Sequence, residues 1–94
     1  MMELDEIRKQ IDEIDDSLAQ LIAKRMELVV DVAKFKSENN IAVENKNRES
    51  EILARVASKF DDSVAKAIED IFAEMFDASK KIQAEIVGKN GDKR

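Results

Sequence analysis

Charged side chains interrupt the apolar pattern of this 94-residue sequence at regularly spaced positions. Arg25 stands where a heptad pattern of isoleucine and leucine, which begins at Leu4 and resumes at Leu28, requires an apolar residue. Lys36 follows eleven residues later, about three helical turns on, so both cations project from nearly the same face. An unpaired cation in an apolar stripe is costly. Two interpretations follow. In the first, Arg25 is structural, with its guanidinium in solvent or paired with an acid of a neighbouring helix; in the second, it binds an anionic ligand.

Polar residues also continue the apolar stripes of two later segments. Arg48 and Glu49 lie one turn before an apolar run that includes Ile52. Ser79 and Gln83 extend a stripe of two phenylalanines at steps of three and four residues. Together with Arg25 and Lys36, these groups supply cations, an acid and neutral hydrogen-bonding side chains. That combination suits a small polyanion bound between the helices of a bundle.

Each interruption also has a purely structural interpretation. Lys36 near a helix C-terminus complements the helix dipole, and Arg48 with Glu49 can form a solvated first turn. Ser79 and Gln83 can be the frayed polar end of the last helix. The spacing alone leaves these interpretations open.

Arg8 is separated from the other cations along the same predicted helix. It lies seventeen residues before Arg25, which is about 25 Å along the axis and about 100° around it. One straight helix cannot bring the two side chains together. An antiparallel partner in a dimer could do so.

The composition restricts the possible functions. The chain has no cysteine and no histidine, which removes thiol nucleophiles, the usual zinc ligands and the usual proton-transfer group near neutral pH. We therefore expect no thiol- or histidine-based zinc site and little proton transfer. The net charge of -5 argues against nucleic-acid binding. No apolar run reaches the roughly 18 residues of a membrane span, so we expect a cytoplasmic protein.

The predicted fold is all-α, with a very long first helix followed by two further helices. The first helix should run from Leu4 to Ser37, and the second should start near Asn47 as its N-cap. The segment 61–63 can cap the third helix, which Gly88 should close. This gives one domain over 1–87 and a flexible tail over 88–94. Because so long a helix cannot wrap a core of its own, we expect a homodimer.

Three segments resemble one known family when they are taken in order. They are "IRKQIDEIDDSLAQLIAKRMELVVDVAKFK", "RESEIL" and "FDASKKIQ", and the resemblance covers roughly residues 3 to 84. The sequence is similar to the all-helical chorismate mutases. The resemblance implies a free-standing isomerase that converts chorismate to prephenate in phenylalanine and tyrosine biosynthesis. It also implies an intertwined homodimer of three-helix protomers, with two equivalent sites and no cofactor.

The resemblance further implies roles for individual side chains. Arg8 of one subunit would join Arg25, Arg48 and Lys36 of the other around the two carboxylates and the ether oxygen, and Ser79 would help to hold a carboxylate. Lys36 and Gln83 would flank the ether oxygen, so that Lys36, Gln83 and Arg25 are the expected catalytic residues. Glu49 and Asn45 would receive the ring hydroxyl. Many family members carry aspartate where this chain has Asn45, so this contact would lose its charge.

Two other functions remain open on the same sequence. An isochorismate-pyruvate lyase would use the same scaffold and a similar cationic pocket, and it would release salicylate from isochorismate. A non-catalytic helical dimer that serves as an interaction module would pair Arg25 internally and would bind no dicarboxylate. Analysis of the product from isochorismate distinguishes the lyase from the mutase. A shift of the melting temperature with a substrate-like dicarboxylate distinguishes a ligand-binding enzyme from the interaction module.

Overall fold

Three helices make up the protein in a computed structural model, which describes the backbone of residues 3–91 and the side chains of residues 3–88. They are α1 (Leu4–Glu38), α2 (Lys46–Ala57) and α3 (Asp62–Gly91). The prediction of an all-α chain with a long first helix is confirmed. None of the described helices is both long and apolar enough to cross a membrane.

Two asparagines end α1 one residue later than predicted. Asn39 caps the helix, and its side-chain amide donates to the Phe35 carbonyl at 2.8 Å. Asn40 adopts a φ of 54°, a left-handed conformation that asparagine tolerates better than most residues. The Ile41 N–H then donates to the Lys36 carbonyl at 2.8 Å. This six-to-one bond is the Schellman arrangement, and it turns the chain sharply back toward α1.

The N-cap of α2 is Asn45, so the prediction of Asn47 was wrong. The Asn45 Oδ1 accepts the backbone N–H of Arg48 at 3.0 Å, which satisfies one of the donors left unpaired at a helix start. Both asparagines suit an N-cap by type. The helix starts at Lys46, so Asn45 takes the cap and Asn47 lies within the first turn.

Gly88 does not close α3, contrary to the sequence prediction. The helix continues to Gly91, and no described glycine has a positive φ, so the left-handed C-cap that glycine favours is absent at Gly88. The predicted tail over 88–94 therefore overlaps the helix as far as Gly91. Residues 92–94 lie outside the described part of the chain.

A small core joins the C-terminal half of α1 to the middle of α3. α3 packs against both α1 and α2. The buried apolar side chains are Val29, Ala33, Ile52 and Phe76. All of them lie close to the predicted polar interruptions, so the same packing that forms the core also positions those polar residues.

The N-terminal half of α1 presents an apolar stripe that this chain leaves uncovered. Six of its side chains are between 39% and 65% exposed: Leu4, Ile7, Ile11, Ile14, Leu18 and Leu21. The molecule measures 62 × 25 × 14 Å and its radius of gyration is 17.0 Å. A compact chain of this length would have a radius of gyration of about 12 Å. α1 therefore extends well beyond the core that this chain builds.

Candidate active site

A pocket of about 280 Å³ lies where the three helices and the segment between α1 and α2 meet. Seven of the eight predicted site residues line it: Arg25, Lys36, Asn45, Arg48, Glu49, Ser79 and Gln83. Apolar side chains such as Val29, Ile52 and Phe76 form the remaining wall. A mainly apolar concavity with a few convergent polar groups is the usual form of a small-molecule site.

Arg25 is half-buried in this pocket and has no carboxylate partner among the described residues. Its Nη1 donates to the Ser79 Oγ at 3.1 Å, and its guanidinium carbon lies 5.9 Å from the centre of the Phe76 ring. Burial, and then repulsion from Arg48, lower the pKa of Arg25. Among the described residues, a hydroxyl and an aromatic face therefore hold the Arg25 guanidinium, and no acid neutralises it.

Ser79 and Gln83 are buried in the middle of the structure, at 5% and 8% exposure. Their interpretation as a frayed helix end was therefore wrong. The Ser79 hydroxyl donates to the Met75 carbonyl at 2.8 Å and accepts from Arg25, so both of its hydrogen-bonding roles are used. This arrangement fixes the rotamer of Ser79 and, through it, the position of the Arg25 guanidinium.

Lys36 connects α1 to α3 and to the segment before α2. Its Nζ donates to the Val43 carbonyl at 2.8 Å and to the Gln83 Oε1 at 3.3 Å. An ammonium group has three protons, so these two bonds leave one donor for a ligand. The Gln83 oxygen accepts the bond from Lys36, so the NH₂ group of Gln83 is left as a second donor for a ligand.

The first turn of α2 contributes groups of opposite charge. The Arg48 side chain is 60% exposed and lies 3.8 Å from the Glu51 carboxylate, which matches the solvated first turn that the sequence left open. Glu49 is only 25% exposed, so that interpretation does not extend to it. Asn45 lines the pocket, but its Oδ1 is already occupied by the helix cap.

Lys80 lines the same pocket, although the sequence analysis did not identify it as a site residue. Its Nζ lies 3.3 Å from Glu44, 3.5 Å from Asp77 and 3.6 Å from Glu49. The contact with Glu44 is the largest cause of the raised pKa of Lys80. Only Asp77 is close in sequence, three residues before it. The contacts with Glu44 and Glu49 depend on the tertiary fold, so residue spacing alone could not indicate them.

Arg8 is the one predicted residue that the structure leaves outside the pocket. Its side chain is exposed on the N-terminal part of α1, which extends away from the core. This placement agrees with the geometric argument that a single straight helix cannot bring Arg8 to Arg25. A contribution from Arg8 would have to come from a second copy of the chain.

The pocket as a whole can bind and polarise an anion. Its polar lining combines the cations Arg25, Lys36 and Arg48 with neutral donors and one acid, Glu49. Over the described residues there is no group of three or more histidine, cysteine, aspartate or glutamate side chains that could hold a metal ion. The fixed donors can stabilise negative charge that develops during a reaction.

A sequence profile described as chorismate mutase type II matches residues 7–84. The chain belongs to this family. The resemblance noted from the three sequence segments is thereby confirmed. The matched range includes Arg8 and all seven predicted residues that line the pocket.

Individual relatives carry the same family name in their descriptions. The chain is 45% identical over 53 residues to a chorismate mutase of Methanocaldococcus jannaschii, a match that covers 56% of this chain and 54% of that protein. It is 36% identical over 56 residues to a bifunctional chorismate mutase/prephenate dehydratase of Aquifex aeolicus, covering 60% of this chain and 16% of that protein. The chain thus spans about half the length of the first relative and much less of the second.

A solved structure supports the same fold. A conserved hypothetical protein from Pyrococcus furiosus superposes with a TM-score of 0.72 at 34% identity. The match covers 85% of this chain and 93% of that one. The similarity therefore extends over nearly the whole three-helix chorismate mutase fold.

Proposed function

We propose that this protein is a chorismate mutase, an isomerase that rearranges chorismate to prephenate. The observation that carries the proposal is the guanidinium of Arg25, which lies half-buried in the pocket with no described carboxylate to neutralise it. Chorismate carries two carboxylates, and a planar guanidinium can bind one of them through two hydrogen bonds. In this proposal the reaction serves phenylalanine and tyrosine biosynthesis in the cytoplasm.

The cations bind and orient the substrate. Arg25 and Arg48 contact its carboxylates, and Ser79 supports the first of these contacts through its bond to Arg25. The substrate is flexible in water, whereas the rearrangement needs the enolpyruvyl group folded over the ring. Carboxylate contacts from Arg25 on α1 and Arg48 on α2 select that compact shape and so reduce the entropic part of the barrier.

Lys36 and Gln83 act on the ether oxygen. During the rearrangement the ether carbon-oxygen bond breaks while a carbon-carbon bond forms, and electron density builds on the oxygen. The remaining Nζ proton of Lys36 and the NH₂ group of Gln83 donate to that oxygen. Because their mutual hydrogen bond of 3.3 Å fixes them in advance, they stabilise the transition state more than the ground state. No proton has to be transferred and no cofactor is needed.

Glu49 is the preferred acceptor for the ring hydroxyl. Asn45 was expected to share this role, but its Oδ1 already accepts the Arg48 backbone N–H. One lone pair of that oxygen remains free, but the cap fixes its direction and the amide carries no charge, so the bond to the hydroxyl would be weaker than one to a carboxylate. Glu49 lines the pocket and its carboxylate can accept a hydrogen bond, so we assign it the main contact with the ring hydroxyl.

Conversion of chorismate by the purified protein tests the function directly. We expect NMR spectra to show prephenate as the product, because the proposed donor set favours rearrangement within one substrate molecule. Isochorismate is the matched control substrate. Salicylate and pyruvate from isochorismate, with chorismate left intact, would replace the proposal with a lyase. Absence of turnover and of any melting shift with a dicarboxylate would favour the interaction module.

A homodimer completes the proposed enzyme. A second copy would cover the exposed stripe of α1, and an antiparallel arrangement would bring Arg8 of that copy toward Arg25. The uncovered apolar side chains and the extended shape support this assembly. We propose that Arg8 binds a substrate carboxylate in the pocket of the other subunit.

Mixed dimers test the contribution of Arg8 across the interface. We expect Arg8→Met and Lys36→Met to be nearly inactive alone, whereas refolding an equal mixture restores about a quarter of the wild-type activity. Half of the dimers are then mixed, and each mixed dimer contains one intact site. Specific activity and the mass of the assembly in solution are the measurements.

The matched control mixes Arg25→Met with Lys36→Met. Both residues belong to the same pocket of one chain, so each site of the mixed dimer lacks one of them and no activity should return. Recovery in this control, or none in the Arg8 mixture, would contradict the assignment of Arg8 to the partner's pocket.

A further inference from the structure

Lys80 forms the centre of an ionic cluster at the edge of the pocket. Its ammonium group lies within 4 Å of three carboxylates, those of Glu44, Glu49 and Asp77. It also donates a hydrogen bond to the Glu44 Oε1 at 3.3 Å. Lys80 and Glu49 are both about one quarter exposed. The Lys80–Glu49 pair is therefore more sheltered than the pair between Lys66 and Asp70 on the outer surface of α3, whereas Glu44 and Asp77 are more than half exposed.

The three carboxylates belong to three different segments. Glu44 lies in the connection between α1 and α2, Glu49 in the first turn of α2, and Asp77 in α3 one turn before Lys80. Lys80 therefore ties the connection and the start of α2 to the rigid third helix. Lys36 holds the same connection from the other side, through its bond to the Val43 carbonyl.

The charges of this cluster also affect the pocket. Glu49 lines it and Glu44 lies beside it, so without a counter-ion both would repel a dianionic substrate. Hydrogen bonding to Glu44 raises the pKa of Lys80. A raised pKa favours the cation, whose contribution is complete at neutral pH and is lost only when the pH rises through the folded-state value. Lys80 therefore neutralises its partners throughout the neutral range.

We propose that Lys80 is a positioning residue that holds Glu49 and the connection over residues 39–45 against the pocket and neutralises the two glutamates for a dianionic substrate. This inference rests on the proposed function for its kinetic consequence. Lys80 acts through Glu49, Glu44 and the connection, and it does not act on the reacting bonds. Its loss should therefore weaken substrate binding far more than it slows the chemical step.

Lys80→Met tests the proposal against Lys81→Met, which removes the same charge from the neighbouring, exposed position of α3. We expect Lys80→Met to raise KM about fivefold at low ionic strength, with kcat within about twofold of wild type. The increase should shrink in high salt, because screening weakens the repulsion. Lys80→Arg should restore most of the affinity. Equal KM values for Lys80→Met and Lys81→Met would overturn the proposal.

Combination with Glu49→Gln tests whether Lys80 acts through that glutamate. Once Glu49 is neutral, Lys80→Met should raise KM less than it does in the wild-type background. An undiminished increase would mean that Lys80 does not act through Glu49, and the proposed positioning of Glu49 would be wrong.

Amide hydrogen exchange gives a readout that needs no activity. Lys80→Met should speed exchange over residues 39–45, whereas Lys81→Met should not. If the wild-type protein makes no prephenate, the proposed function fails, and the exchange rates still decide whether Lys80 holds the connection. Unchanged exchange in Lys80→Met would contradict that role even in an active enzyme.

Discussion

Replacement of Lys36 by methionine is expected to lower kcat by a factor of about 10² to 10³. The substitution keeps an unbranched side chain that is one atom shorter, and it removes the donor that we propose faces the developing charge on the ether oxygen. It also releases the Gln83 Oε1, which Lys36 holds at 3.3 Å, so the second donor loses its orientation. KM should change much less than kcat, because the lost interaction is strongest in the transition state.

Lys34→Met is the matched control for this variant. Lys34 lies on the exposed face of α1, two residues from Lys36, so its replacement removes one positive charge outside the pocket. We expect its kcat to stay within about twofold of wild type. Circular dichroism and the mass in solution establish that both variants fold and assemble alike. A Lys36→Met protein that assembles normally and keeps its full kcat would remove Lys36 from the proposed mechanism.

Helical periodicity explains why much of the site could be predicted from the sequence. Side chains three, four or eleven residues apart share a helix face, so the positions of Arg25 and Lys36 in an apolar pattern already aimed both at the same core. The same rule placed Ser79 and Gln83 on the buried stripe of α3. Their individual roles came from the family resemblance, and they stay predictions.

The missed features depend on contacts that periodicity does not encode. Asn45 and Asn47 are equally suitable N-caps by residue type, and only the path of the preceding connection decides between them. Gly88 fits a helix stop by type, yet it keeps helical geometry. Lys80 resembled an ordinary surface lysine because two of its three partners lie more than thirty residues away in sequence. The chain path decides the cap and tertiary contacts decide the partners of Lys80, whereas no described contact explains why the helix continues through Gly88.

Arg25→Met should reduce activity strongly while changing the stability of the fold little. The Arg25 guanidinium is half-buried, and burial and Arg48 lower its pKa, so the folded state contains a charge that no described acid offsets. Methionine removes that cost and leaves no unpaired group, because the Ser79 hydroxyl still donates to the Met75 carbonyl. The lost contacts with Ser79 and Phe76 act in the opposite direction.

The two effects should nearly cancel in the free energy of unfolding. Solvent screens a partly exposed charge, so we expect a change within about 1 kcal/mol, of either sign. The loss of kcat/KM should be at least about a hundredfold, because charge-assisted hydrogen bonds to a substrate carboxylate are worth roughly 3 kcal/mol together. Denaturant unfolding and steady-state kinetics measure the two quantities on the same preparation.

Melting with a dicarboxylate then shows whether Arg25 is reserved for a ligand. A substrate-like dicarboxylate should raise the melting temperature of the wild-type protein and of Arg55→Met, which loses an exposed cation of α2. It should have little effect on Arg25→Met. A structural arginine would give the opposite pattern, a large loss of stability with the ligand response intact. A cation that contributes little to folding, interrupts an apolar stripe and is needed only when an anion binds is explained by ligand binding. Among the described residues, no acid forms an ion pair that would offset the burial of Arg25.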